Sequence, residues 1–314
     1  MLNKIFLGLS HNRNLYLIES RVMAQNLVII FNPAAGARRR AKLYSALDVL
    51  YGLGIQFQLL ETSARGDAEK FARMAADQGR IVVAAGGDGT IAEVAAGLAG
   101  TQALLGILPL GTANVFALEM SVPLNPREAA RTLLMGRSAS VYPGILKRGD
   151  LTDRLFIQMV GVGLDSVVVH RLPPGLKRVF GKGAYVMQTL CDLTRHSFQS
   201  FKVKIDALEV ETSGLVVTKG RYYAGRFQIA PEADPRETQF HVLSLHQDHF
   251  LDAMKHAAAL SLGRLPYLSS ISLRRGHDIQ VFGADLPVQA DGDAAGSLPI
   301  HIVPFMQPLR VVVP

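Results

Sequence analysis

The sequence predicts an α/β chain in two parts, a parallel-sheet domain followed by a β-rich sandwich domain, with a cleft between them. Three observations carry this. Residues 81–98, IVVAAGGDGTIAEVAAGL, run from an apolar β-branched stretch through paired glycines into apolar residues at helical spacing. Strand-like and helix-like segments alternate across residues 26–140. From about residue 141 the texture changes to short β-branched and aromatic runs.

In chain order, Leu27–Phe31 is a fully apolar strand that ends in the turn Asn32-Pro33-Ala34-Ala35-Gly36. Leu43, Leu47 and Leu50 share one face of a helix that closes at Gly52 and Gly54. Residues 55–60 form a second strand, and Asp67 is placed to cap the next helix. Ile81–Val83 then lead into Gly86-Gly87-Asp88-Gly89-Thr90, and Ile91, Val94, Ala95 and Leu98 follow at i, i+3, i+4, i+7. A strand over 104–108 enters Pro109-Leu110-Gly111-Thr112-Ala113-Asn114, and Asn125-Pro126 reads as a cap with proline at the first helical position. Repeated strand–helix units imply a Rossmann-like parallel sheet with ligands at the strands' carboxyl ends, where the loops 32–36, 86–90 and 109–114 converge. Strands are expected at 155–160, 201–205, 215–219, 222–230, 240–245, 271–275 and 279–282, with helices near 182–196 and 249–262. The division expected is 23–140 for the first domain, with a strand from 303–314 returning to it, and 141–302 for the second. Residues 1–22 read as a dispensable extension, with Met23 as a second start.

Composition narrows the partners. The 314 residues are 49% hydrophobic and 19% charged, as in a globular protein, and no uninterrupted apolar run is long enough to span a membrane. The single cysteine, Cys191, excludes an internal disulfide and fits a reducing, cytoplasmic compartment. Net charge is +7, which favours anionic partners. Aromatics are only 7%, Trp is absent and no basic stretch is interleaved with aromatics, so nucleic acid is the weaker choice against nucleotides or an acidic bilayer. The nine histidines show no paired metal spacing. Exposed sheet edges in the second domain make a homodimer reasonable.

The glycine loop sets the chemistry. Paired glycines let the backbone approach a polyphosphate, and a helix N-terminus presents free N–H groups to it. Asp88 inside the loop is unfavourable beside phosphates unless a divalent cation lies between, so it points to Mg²⁺ and phosphoryl transfer rather than a bare dinucleotide cradle.

Together, Asn32-Pro33-Ala34-Ala35-Gly36, Gly86-Gly87-Asp88-Gly89-Thr90, Pro109-Leu110-Gly111-Thr112-Ala113-Asn114 and Asp291-Gly292-Asp293 resemble the diacylglycerol kinase catalytic-domain family. That group includes soluble bacterial lipid kinases and the sphingosine kinases, with NAD kinase as a distant relative. The resemblance covers residues 26–314 and implies ATP- and Mg²⁺-dependent phosphorylation of a lipid hydroxyl. It further implies that Asn32, Thr62, Gly86, Gly87, Gly89, Thr90, Gly111, Thr112 and Asn114 hold ATP, with Glu93 near the nucleotide and Asp88 acting through Mg²⁺. Asp293 stands where much of the family has a glutamate as base, one methylene shorter, and Asp291 is expected to orient the turn. Without the other motifs, Asp-Gly reads as a tight hairpin turn. Val115 and the stretch at Tyr142-Pro143-Gly144 replace aspartates common in the family, and an Asp-Gly pair of a structural Mg²⁺ site is missing from 231–238, where Glu237 is the substitute candidate ligand. Asp165 and Gly181-Lys182-Gly183-Ala184-Tyr185 also match family segments.

The expectation is therefore a cytoplasmic, peripherally membrane-associated kinase whose lipid hydroxyl enters from the second domain. Basic residues Arg171, Lys177, Arg178 and Lys182 among Leu172, Leu176, Val179 and Phe180 are its candidate contact with anionic lipid, equally readable as a helix with one buried side. Two other readings stay open: a non-enzymatic nucleotide-binding regulator, and a kinase of NAD or a soluble polyol on the same scaffold.

Overall fold

The computed structural model describes residues 27–33, 37–76, 81–149, 151–163, 199–246, 250–283 and 285–314. The extension 1–22, the 171–182 contact stretch, the 182–196 helix, Asp165, Gly181–Tyr185 and Cys191 lie outside the described residues.

The first sheet grows from apolar strands that have no polar face. β1 (Leu27–Phe31), β3 (Ile81–Gly86) and β4 (Leu104–Pro109) are buried at every position, as a parallel sheet covered on both sides requires. Their order with β2 (Phe57–Glu61) is β2-β1-β3-β4, all parallel. The sheet is completed by β20 (Leu309–Val313), parallel to β4, and then by β5 (Arg137–Val141), antiparallel to β20. Helices α1 (Ala37–Gly52) and α5 (Pro126–Met135) pack together, as do α2 (Asp67–Ala76) and α3 (Asp88–Leu98). A short helix, α4 (Val115–Glu119), follows the GTAN loop. Asn125 caps α5 as its sequence suggested, accepting from the N–H groups of Arg127 and Glu128.

Beyond Tyr142 the chain builds two antiparallel six-stranded sheets. One contains β6 (Gly144–Arg148), β7 (Leu151–Phe156), β9 (Phe201–Ile205), β10 (Leu208–Thr212), β16 (Ile279–Phe282) and β19 (Ile300–Pro304) in the order β10-β9-β16-β19-β6-β7. The other contains β8 (Met159–Gly163), β11 (Gly214–Thr218), β14 (Phe240–Leu245), β15 (Ile271–Gly276), β17 (Pro287–Ala290) and β18 (Asp293–Ser297) in the order β15-β14-β11-β8-β17-β18. Inward residues alternate along each strand and meet in one core that includes Phe156, Val160, Val203, Val217, Phe240 and Ile302. Phe156 and Phe240 stack across it with centroids 5.9 Å apart. The outer face of the second sheet is covered by α6 (Phe250–Ser261), with Met159, Val216 and Leu243 against Ala259 and Leu265. The architecture is thus the expected α/β domain and β sandwich.

Two expected strands differ. The run 155–160 is two strands, β7 and β8, in different sheets, because Ile157 and Gln158 carry the chain from one sheet to the other. The run 222–230 is a small ribbon, β12 (Tyr222–Tyr223) with β13 (Phe227–Gln228), turned by Ala224 and Gly225 at positive φ.

Candidate functional site

Strand ends and loops of the first domain form one wall of the site. Asn32 follows β1 and its N–H donates to the Ala85 carbonyl at 3.3 Å. Thr62 follows β2, buried, with N–H and hydroxyl both turned to the Phe31 carbonyl at 2.9 and 3.4 Å. Asp67, expected to cap α2, instead reaches back to the N–H groups of Ser63 and Ala64 at 2.9 and 2.8 Å and to the Ser63 hydroxyl. A carboxylate can brace its own preceding loop in this way wherever the chain turns back on it; those donors lower its pKa. The loop so braced carries Thr62 and Arg65.

The two glycine motifs meet backbone to backbone. A Cβ on Gly111 would stand 2.6 Å from the Gly87 Cα and 2.7 Å from Asn114 Oδ1, so only glycine permits this approach. Asn114, left-handed at φ 48°, closes the second loop on itself: its Oδ1 accepts from Gly111 N–H at 2.9 Å and its Nδ2 donates to the Gly111 carbonyl at 3.0 Å. Its amide therefore shapes the loop. Thr112 stands exposed at the tip, Thr90 is buried under Gly86, and Glu93 is half-buried one turn into α3. Gly89 is exposed with open space around it, and Gly87 offers no side-chain cap to the first turn of α3. The open main chain at Gly89, in the first turn of α3, suits phosphate oxygens.

Asp88 opens α3. Its Oδ1 accepts from the Phe116 N–H and from Gln158 Nε2 of the second domain, each at 3.2 Å. Withdrawal from water pushes its carboxyl upward in pKa, opposed by these donors. At the far end of α4, buried Glu119 accepts from Tyr222 N–H at 2.6 Å and from Arg221 Nε at 3.3 Å. Burial raises its pKa as well. A five-residue helix is therefore tied at both ends to groups that span the two domains.

The second domain supplies the opposing wall. β17 and β18 are joined by a tight turn at Asp291-Gly292, both at positive φ. Asp291 is buried and accepts the N–H groups of Ile157, Gln158 and Met159 at 2.9, 2.9 and 3.0 Å. Those three donors lie where the chain crosses between the sheets, which is why β7 and β8 separate there. Burial outweighs the donors and pushes the Asp291 carboxyl up to about 6. Asp293 begins β18 with its side chain 38% exposed, paired with Arg65 of the first domain at 2.9 Å and with Arg154 at 3.5 Å. Arg154 clamps both arms of the hairpin, donating to the carbonyls of Ala294 and Ala290 at 2.9 and 3.1 Å.

The geometry thus brings Asp88, the glycine loops, Asp291 and Asp293 to one junction. Glu237 stands apart from it. The Glu237 side chain is exposed, while its carbonyl and that of Gln239 receive the ammonium of buried Lys219, which lies 5.0 Å from the Phe240 ring centroid. Burial lowers the Lys219 pKa to about 8. A cation of the chain's own already sits against those carbonyls, and among the described residues no cluster of three His, Cys, Asp or Glu side chains is placed to hold a metal. Gln158, Arg65, Arg154 and Glu119 escaped the sequence reading.

Comparison with known proteins agrees with this anatomy. The diacylglycerol kinase catalytic domain matches residues 26–144, and the YegS C-terminal NAD kinase β-sandwich-like domain matches 158–313. A protein of Cronobacter sakazakii named a probable YegS-like lipid kinase is 31% identical over 219 residues, 68% of this chain and 72% of that protein. A diacylglycerol kinase of Bacillus subtilis is 26% identical over 91% of this chain and 95% of its own. A crystal structure of a diacylglycerol kinase from Bacillus anthracis shares the fold, with TM-score 0.70 at 22% identity over 92% of this chain and 97% of that one. The chain belongs to the diacylglycerol kinase catalytic-domain family, with the second domain in its YegS-type form.

Proposed function

We propose that this protein is an ATP- and Mg²⁺-dependent lipid kinase that transfers the γ-phosphoryl group to a lipid hydroxyl, of the diacylglycerol or sphingoid class. The observation that carries the reading is the pairing of Asp293 with Arg65 at 2.9 Å. It sets a partly exposed carboxylate of the second domain directly against the loop of the first domain that follows Thr62. Phosphoryl transfer needs in-line placement, charge neutralisation and an acceptor for the hydroxyl proton more than it needs covalent chemistry.

The nucleotide fits the residues present. Gly86, Gly87, Gly89, Thr90, Gly111 and Thr112, with Asn32 and Thr62, would hold its phosphates, and the open main chain at Gly89 gives them room. Among the described residues no three His, Cys, Asp or Glu side chains form a self-standing metal centre; a cation that arrives with the phosphates would take Asp88 as its protein ligand. Bound Mg·ATP supplies the phosphoryl group and the charge that offsets its oxygens. Asp293 accepts the proton of the lipid hydroxyl, while Arg154 and Asp291 hold the hairpin that presents it. Arg65, 64% exposed, would turn from Asp293 to the phosphates as they bind. Among the described residues no helix is long and apolar enough to cross a membrane. The lipid is then met by peripheral contact, which the net charge of +7 favours at an anionic surface.

The test is a labelled-ATP assay over a lipid panel with wild type, Asp293→Ala and Asp88→Ala. Transfer to a lipid that both substitutions abolish is the expected result. Nucleotide uptake without transfer to any acceptor overturns it in favour of a regulator, and transfer only to NAD or a polyol overturns the lipid assignment.

A further inference from the structure

We infer that Gln158 is a positioning residue that locks the two acidic motifs of the cleft into one register; its catalytic consequence rests on the lipid kinase reading. Gln158 lies at the sheet crossing between β7 and β8 and is 6% exposed. Its main chain is held on both sides. The N–H donates to Asp291 at 2.9 Å, and the carbonyl accepts from Lys219 N–H at 2.8 Å and the Thr218 hydroxyl at 3.3 Å. With its backbone so held, the side chain reaches 3.2 Å to Asp88 Oδ1, beside the Phe116 N–H. This is a side-chain hydrogen bond from the second domain onto the GGDGT motif. One residue thus joins Asp88 of the first domain to Asp291, two positions before the proposed base.

The amide suits the task for a chemical reason. A lysine or arginine there would neutralise Asp88 and compete with a divalent cation for it, and a carboxylate would repel it. An amide orients one oxygen and leaves the charge in place. The bond also reports on closure. It exists only while the β7–β8 crossing sits against the start of α3, so the angle of Asp88 and the placement of the Asp293 hairpin move together.

The experiment uses the full chain with Gln158→Leu, which keeps the three main-chain bonds and most of the volume, and Gln158→Glu, which places a carboxylate against Asp88. Three readouts are taken: thermal midpoint, kinetics of phosphate transfer from ATP to dispersed diacylglycerol, and hydrogen exchange of peptides spanning 86–92 and 113–119. Gln158→Leu is expected to lower kcat more than tenfold while the KM for ATP stays within about twofold, with the midpoint near that of wild type. Exchange in 113–119 is expected to rise as the Phe116 N–H loses a well-placed acceptor. Gln158→Glu is expected to lower kcat further. Unchanged kcat and exchange in Gln158→Leu overturns the inference. So does a loss of activity that tracks a large fall in midpoint, which would mark a purely structural role. Failure of the wild type to phosphorylate any lipid strikes the functional reading alone, because the exchange of 113–119 still decides whether Gln158 holds Asp88.

Discussion

Asp88 and Asp293 bring the same carboxylate to the same junction from opposite domains, and their surroundings are opposite too. Asp88 is met by neutral donors, a main-chain N–H and a glutamine amide. Asp293 stands partly in solvent between two guanidinium groups. Neutral donors aim an oxygen without spending its charge, which under the proposed function suits a group that meets a cation. On the same reading, a partly exposed carboxylate on a clamped hairpin suits a group that an incoming hydroxyl must reach. The contrast yields its sharpest prediction at Asp293. Asp293→Asn should cut transfer by about 10²–10⁴-fold, the usual span of a general base, and leave the thermal midpoint close to wild type, since part-exposed ion pairs contribute about 1 kcal/mol or less. Steady-state kinetics with calorimetry checks both. Near-normal activity would break the comparison, because Asp293 would then be an ordinary strand-start residue.

Asp291 sharpens the same contrast by doing the opposite work two positions earlier. Asp291→Ala strands three buried N–H groups at the sheet crossing, at a cost of about 3 kcal/mol or more, visible as a lower urea midpoint at constant m. The pH dependence has a definite sign. The Asp291 carboxyl is raised from its ordinary 3.8 to about 6 in the fold, so the folded state holds the proton more tightly than the unfolded one. Its contribution is present below about pH 4 and fades as pH rises through about 6. Urea midpoints at pH 4, 5, 6 and 7 should therefore fall for wild type relative to Asp291→Asn. A flat difference would mean that the three donors, not burial, set this group.

The sequence exposed the first domain more fully than the second, and the cause is physical. In the parallel sheet the glycine loops are contiguous, each sitting at the carboxyl end of its own apolar strand, so GGDGT and GTAN can be read where they stand. In the sandwich the working contacts join residues far apart in sequence. Gln158 meets Asp88 across 70 positions, Arg154 meets Ala290 across 136, and Glu119 meets Tyr222 across 103. No local pattern encodes such pairs, because they depend on strand register. The break between β7 and β8 was invisible for the same reason: residues 155–160 read as one strand until Asp291 takes the N–H groups of 157–159. The Asp-Gly turn was readable both as a hairpin and as a catalytic motif, and the structure contains the hairpin with Asp293 at its exit.

Lys219 extends the comparison to a site outside the cleft. Lys219→Met should leave two carbonyls, of Glu237 and Gln239, without their donor and cost about 2 kcal/mol. The segment concerned also holds the interdomain linker, since the Tyr142 N–H donates to the Pro235 carbonyl at 2.8 Å. With the folded pKa lowered from 10.5 to about 8, the unfolded chain binds the proton more tightly. Stability from this group rises as pH climbs from 8 towards 10.5 and is lost as pH falls through 8. Denaturation at pH 7.5 and 10 should show that rise in wild type and its absence in Lys219→Met. A chelator should leave the midpoint of either protein unchanged if an ammonium, not a metal, serves those carbonyls.

The smallest effect expected is the most diagnostic of how the two domains meet. The Arg65–Asp293 pair crosses the cleft, but with side chains 64% and 38% exposed it is screened by water. A double-mutant cycle of Arg65→Ala and Asp293→Ala on stability should therefore give a coupling of about 0.2–1 kcal/mol, shrinking with added salt. A larger, salt-resistant value would mean that the pair holds the cleft shut, and phosphates would have to break it before Arg65 could turn to them. A small value means that Arg65 rests on Asp293 without being committed to it. Under the proposed function, an arriving triphosphate, with more negative charge than one carboxylate, would then draw Arg65 away at little cost and leave Asp293 open to the acceptor hydroxyl.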